Sequence, residues 1–121
     1  MNIAVLEEHS NIGEMLQHGL ELAGYSVVVY SRPALFFAAL LDPAPVHFDC
    51  MIVDLPLSEG MSGEEVVQRA RKTFPALRAI LIVEGSSWEI EAARRNLLGA
   101  EVLRKSFKLT TLLSLLKKLT N

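Results

Sequence analysis

The chain holds a single cysteine, Cys50, which excludes an internal disulfide, and its place inside an apolar run predicts a buried, inert thiol. Net charge is nearly absent too. Twelve basic against fourteen acidic side chains leave −2, so no whole-molecule field draws in nucleic acid or an anionic membrane, and neither is an expected partner. No apolar run approaches the roughly 20 residues of a membrane span. The opening MNIAVLEEHS reaches two acids without a basic stretch or an apolar segment of signal length, so neither export nor anchoring is expected and a reducing cytoplasm fits. Linkers, repeats and low-complexity stretches are also missing, which leaves one domain over residues 1–121.

What the chain does have is apolar residues, 50% of the total, enough for a sizeable core. Short β-rich runs alternate with longer helical patterns, the signature of repeated βα units and a parallel sheet. Strands are predicted at Asn2–Leu6, Ser26–Tyr30, Phe48–Val53, Arg78–Val83 and Glu101–Leu103; several read as nearly continuous apolar runs, as strands covered on both faces must. A three-layer sandwich follows. The first helix is expected after His9, with Ser10 as N-cap, an apolar stripe from Ile12 to Ala23, and Gly24 as its stop. The second runs from Ser31 through ALFFAALL and is apolar all round, so Phe36 and Phe37 offer a candidate contact patch. A third starts near Ser62 and Gly63 and stops at Pro75, a fourth spans Ser87 to Leu98, and the last runs from Lys108 to Leu119. Leu115 and Leu119 widen the last stripe beyond one sheet face, and with Trp88 they suggest a surface for a partner or a second copy.

Four ionisable groups stand at the ends of these runs. Glu7 and Glu8 follow the first strand, Asp54 the third and Lys105 the fifth. In an open parallel sheet such positions meet at one edge, where sites are built. A carboxylate there can attack phosphorus if its surroundings neutralise charge, and an acid-lined cleft attracts a divalent cation with oxygen preference.

The ordered blocks IAVLEEHSNIGEML, LAGYSV, FDCMIVDLPLSEGMSGEEVV, AILIVEG and GAEVLRKSF cover nearly the whole chain. Together they resemble the receiver domain of two-component response regulators. The resemblance implies an α/β, doubly wound, flavodoxin-like fold with five parallel strands in the order 2-1-3-4-5. It implies Asp54 as phosphoacceptor, Glu7 and Glu8 with Asp54 as the Mg2+ site, and Lys105 as the amine that meets the phosphoryl group. It also implies a histidine kinase or phosphotransfer protein upstream, and a downstream protein or output domain; a homodimer through the last helices is a further expectation. The domain itself would not be an enzyme. A small flavodoxin-like enzyme is disfavoured because the first strand leads to Glu7 and Glu8, which repel nucleotide phosphates, and not to a glycine-rich loop.

The pattern departs from the family at several positions. Glu84 stands where Thr or Ser is usual, and at a spacing of about 4 Å its repulsion of a phosphorylated Asp54 would be about 4 kcal/mol at an effective dielectric near 20. Glu84 could instead pair with Lys105, which defines an alternative reading: a phosphorylation-independent pseudo-receiver acting as a protein-interaction module. Glu8 replaces the usual Asp, Ser106 the usual proline, and Val102 the usual aromatic switch residue; the loop LPLSEGMSG is one residue long. His9, His18 and His47 read as surface or supporting residues.

Overall fold

The alternation of apolar periods resolves into one sheet with helices on both faces. In this computed structural model residues 1–57, 60–86 and 99–120 are described. The strands are β1 (Asn2–Leu6), β2 (Ser26–Tyr30), β3 (Cys50–Asp54), β4 (Arg78–Val83) and β5 (Glu101–Arg104). They are all parallel and lie in the order β2-β1-β3-β4-β5. The described helices are α1 (Ser10–Leu22), α2 (Pro33–Ala39), α3 (Gly63–Thr73) and α4 (Leu109–Thr120). The helix expected over Ser87–Leu98, with Trp88, lies outside the described residues, as does part of the loop after Asp54. No helix among the described residues is long and apolar enough to cross a membrane.

Side chains two apart on a strand share a face, and this parity divides the core. Ala4, Leu6, Met51, Val53, Ala79 and Leu81 face one way, under Phe36 and Phe37 of α2 and Val66, Val67 and Ala70 of α3. Ile3, Val5, Cys50, Ile52, Ile80 and Ile82 face the other way, under Leu16 and Leu20 of α1 and Leu112 and Leu116 of α4. Cys50 is fully buried, and burial pushes its thiol up to about 12, so it is inert as expected.

The structure corrects several boundaries. Ser10 is not the cap of α1: His9 holds that position, without a side-chain capping bond. A working cap occurs at α3, where Ser62 Oγ accepts from the Glu65 amide at 3.1 Å and both Glu64 and Glu65 sit in the positive first turn. The second helix is shorter than the apolar run, because Arg32 caps it and the chain leaves the helix after Ala39. Phe36 and Phe37 are no contact patch, since both are buried. Phe36 lies in an aromatic cluster with Tyr30, Phe37 and Phe48, and the Arg69 guanidinium covers the Phe37 ring at 4.1 Å. The third strand is Cys50–Asp54, not Phe48–Val53, so Phe48 precedes it and Asp54 ends it. Leu115 and Leu119 are half-buried against the α1-side core, so much of the wide stripe on the last helix is used internally.

Candidate functional site

The parity that sorts the core also builds the site. Continuing the α1-facing series past the strand ends leads from Val5 to Glu7, from Ile52 to Asp54, from Ile82 to Glu84 and from Leu103 to Lys105. All four positions fall on one face of one edge. The ladder extends far enough to hold them: the Glu7 amide donates to Tyr30 O at 3.0 Å, the Leu55 amide to Ile82 O at 2.9 Å and the Lys105 amide to Val83 O at 2.7 Å. Gly13 of α1 lets the helix lie close over this edge, because a Cβ there would stand 3.0 Å from Val29 Cγ1 and 3.8 Å from Glu7 Cγ.

Glu8 has the opposite parity and is separated from the others accordingly. It is half-buried and borders a recess of about 250 Å³ on the side of Pro56 and Leu57, together with Glu7, Asp54 and Lys105. Among the described residues the side chains whose ligand atoms come within 4.8 Å of one another are Glu7, His9 and Asp54. His9, expected as a surface or supporting residue, is exposed and reaches the site through Glu7. Its ring turns back on the preceding acid, with Nδ1 3.0 Å from Glu7 Oε1, and its amide donates to the same oxygen at 2.9 Å. The signal was present as the tripeptide Glu7-Glu8-His9, in which His9 recovers the parity of Glu7.

Lys105 engages Asp54, not Glu84. Its Nζ lies 3.0 Å from Asp54 Oδ1, with side chains only 27% and 12% exposed. The charge contact lacks the direction of a hydrogen bond, and Oδ1 is a buried oxygen with no hydrogen-bond partner. Glu84 is exposed at the rim of a neighbouring cleft of about 490 Å³, whose apolar wall includes Ile12, Met15, Ile82, Phe107 and Leu109. No ion pair joins Glu84 to another described residue. Ser106 follows Lys105 with φ of 64°, a left-handed conformation that proline cannot adopt.

Electrostatics within the cluster oppose full ionisation. Burial, followed by the Glu7 carboxylate beside it, pushes Asp54 up to about 6, against the pull of Lys105. Burial would also raise Glu7, but its contacts with Asp54, the His9 amide and the His9 ring outweigh that and hold it below the ordinary carboxylate range. With no cation bound, the shared proton belongs mainly to Asp54.

No protein-family model and no curated protein matches this sequence. Solved structures do. A response regulator receiver protein from Sinorhizobium medicae superposes with a TM-score of 0.82 at 19% identity, over 98% of this chain and 93% of that one. The chemotaxis response regulator CheY4 of Vibrio cholerae gives 0.81 at 23% identity, over 97% of this chain and 96% of that one. The fold is that of a response-regulator receiver domain. Full-length FixJ from B. japonicum matches 97% of this chain with 56% of its own length, at a TM-score of 0.79 and 19% identity, so there the receiver fold is part of a longer protein. The order β2-β1-β3-β4-β5 agrees with the sequence expectation, and the receiver edge carries Glu7, Asp54, Glu84 and Lys105.

Proposed function

We propose that the chain is a phosphoryl-accepting receiver in a two-component relay, with Asp54 as acceptor. The observation that carries this reading is the convergence of Glu7, Asp54 and Lys105 on one recess at the strand ends, with the Lys105 ammonium 3.0 Å from Asp54 Oδ1. Because Asp54 and Lys105 both line a recess of about 250 Å³, a reacting group has room to reach the pair. In the transfer step an Asp54 oxygen attacks phosphorus of a phosphohistidine on a kinase or phosphotransfer protein. The phosphorus–nitrogen bond breaks, and the imidazole keeps its electron pair and takes a proton. Lys105 follows the charge from the carboxylate to the phosphoryl oxygens, a task of positioning and compensation that needs no acid or base catalyst. Asp54 ionises near 6, so it is mostly nucleophilic at neutral pH.

The residues also fit a divalent cation. Two carboxyls and the His9 ring converge, and the recess adjoins Glu8. Glu7 and Asp54, with Glu8 bordering, would hold Mg2+, which would neutralise charge between carboxylate and phosphoryl oxygens. The domain then serves as substrate and switch for other proteins, a kinase or phosphotransfer protein upstream and an output partner downstream, and is not itself an enzyme. The pseudo-receiver alternative needs Lys105 engaged by Glu84, and the amine lies on Asp54.

Incubation of the chain with Mg2+ and a small phosphodonor, followed by intact mass, tests the proposal. One phosphoryl group is expected on the wild type and none on Asp54→Asn. An unmodified wild type, with the donor shown active on a control receiver, would reject it.

A further inference from the structure

We infer that His9 is a metal ligand, and that this receiver edge selects Mn2+ and later first-row divalent ions over Mg2+. The inference rests on the proposed cation site and concerns which cation it takes. Three observations on this chain support it. The ligand atoms of Glu7, His9 and Asp54 lie within 4.8 Å of one another, so one ion can touch all three. His9 Nδ1 stands 3.0 Å from Glu7 Oε1. Two neighbouring ligands of an octahedral ion with bonds of about 2.1 Å stand about 3 Å apart, so these two atoms already have the spacing of adjacent ligands. Finally, the Asp54 side chain is only 12% exposed and lines the same recess as Glu7 and His9, with Lys105 on its Oδ1 at 3.0 Å.

The local backbone explains why the ring is there. His9 caps α1 in an extended conformation, φ −87° and ψ 113°, and makes no capping bond with its side chain. It is therefore not committed to the helix terminus, as a Ser or Asp at this position would be. Its side chain is 69% exposed, which leaves the ring reachable from solvent, while the Glu7 side chain is only 1% exposed. In the metal-free protein Nδ1 carries the proton that meets Glu7 Oε1, so an ion binding there displaces it, leaving the ring neutral with its proton on Nε2 and its Nδ1 lone pair on the metal. Mg2+ prefers oxygen throughout and gives up its waters reluctantly, so a nitrogen ligand adds little for it. Mn2+ accepts mixed oxygen and imidazole sets, and Co2+ and Ni2+ favour them more strongly.

The test uses the full chain and its His9→Gln and Asp54→Asn variants, titrated with Mg2+ and with Mn2+ by calorimetry. Pulsed electron paramagnetic resonance of the Mn2+ complexes is recorded alongside. The wild type is expected to show nitrogen modulation from one imidazole, absent in His9→Gln. That variant should lose about tenfold in Mn2+ affinity while Mg2+ affinity changes less than about twofold. Equal losses for both ions, or a wild-type spectrum without nitrogen coupling, would overturn the assignment while leaving the cation site itself standing. Failure of the wild type to bind either ion would overturn both, and metal binding unaffected by Asp54→Asn would place the ion elsewhere and reject both as well.

Discussion

Asp54→Asn should stabilise the metal-free protein at neutral pH and have almost no effect in acid. The free aspartate reference is 3.8 and the folded carboxyl is pushed up to about 6 by burial and by Glu7. At about 1.4 kcal/mol per unit of pH, that interval makes the charged form about 3 kcal/mol less favourable in the fold than in the unfolded chain. The sign follows from proton counts. Between these two values the native state keeps a proton that the unfolded state has released, so wild-type stability falls as pH rises and the loss is complete above about 7. Well below 3.8 both states are protonated and the full stability is present, and at pH 4 only about 0.5 kcal/mol of it has been lost. An amide at this position mimics the protonated carboxyl, because its NH2 can donate to Glu7 as the carboxylic proton does. The variant therefore lacks the titration and keeps the contact. Urea unfolding of both proteins with chelator present, at pH 4 and at pH 7.5, measures the difference. It should be near zero at the lower pH and favour the variant by about 3 kcal/mol at the higher. A difference that does not change with pH, or a wild type that is the more stable at pH 7.5, would refute the account of the Glu7–Asp54 pair.

Phe36 is fully buried with ring centroids 5.5 Å from Tyr30 and 5.1 Å from Phe37, so Phe36→Ala should cost about 3–5 kcal/mol; a urea midpoint close to wild type would mean that the α2 side of the core is assigned wrongly. Glu84 is exposed, so water screens its repulsion of a phosphorylated Asp54 to about 1 kcal/mol at a spacing near 4 Å. Glu84→Thr should thus raise the phosphorylated fraction by only about fivefold, read by intact mass; a gain of several hundredfold would show that the acid bears directly on the acceptor. Ser106 has φ of 64°, far from the value near −65° that proline requires, so restoring the family's usual residue with Ser106→Pro should destabilise by about 3 kcal/mol or more. If Lys105 is displaced, the Asp54 carboxyl carbon of the variant should titrate higher than that of the wild type in NMR, because the lysine pulls this group down; an equal titration would show that the amine is held independently of this turn.

The strands and their order were legible because buried parallel strands are short continuous apolar runs, and four of the five begin or end where those runs do, as at Asn2–Leu6 and Arg78–Val83. The same continuity concealed which face each residue takes. A run such as NIAVL carries no polar alternation, so nothing in it separates Glu7 from Glu8 as the acid that turns toward α1. Counting by twos from an inward residue makes the distinction, but only once the end of the ladder is known. The contact of His9 with Glu7 was hidden for the same reason, since it depends on the strand register running past Leu6 and on a helix that starts one residue earlier than a serine cap implies. The fate of Phe36 and Phe37 could not be read from the run ALFFAALL, which is apolar on every side. Their burial is decided by partners distant in sequence, Phe48 and Arg69 among them.

Parity also explains why the cluster calls for a cation. It aligns three carboxyls, Glu7, Asp54 and Glu84, on one face against the single ammonium of Lys105. With Asp54 ionised this group is net negative, and a phosphoryl group would make it more so. Metal-free protein relieves the excess by keeping a proton on Asp54 up to about pH 6. A divalent cation relieves it by taking that proton's place, so proton and cation compete for the same carboxyl. Cation binding must then strengthen as pH rises toward about 6 and level off above it, while acid weakens the cation's hold and the acceptor's nucleophilicity together. The pocket that makes Asp54 reluctant to ionise alone is thus the pocket that would couple its ionisation to the cation of the proposed phosphoryl transfer.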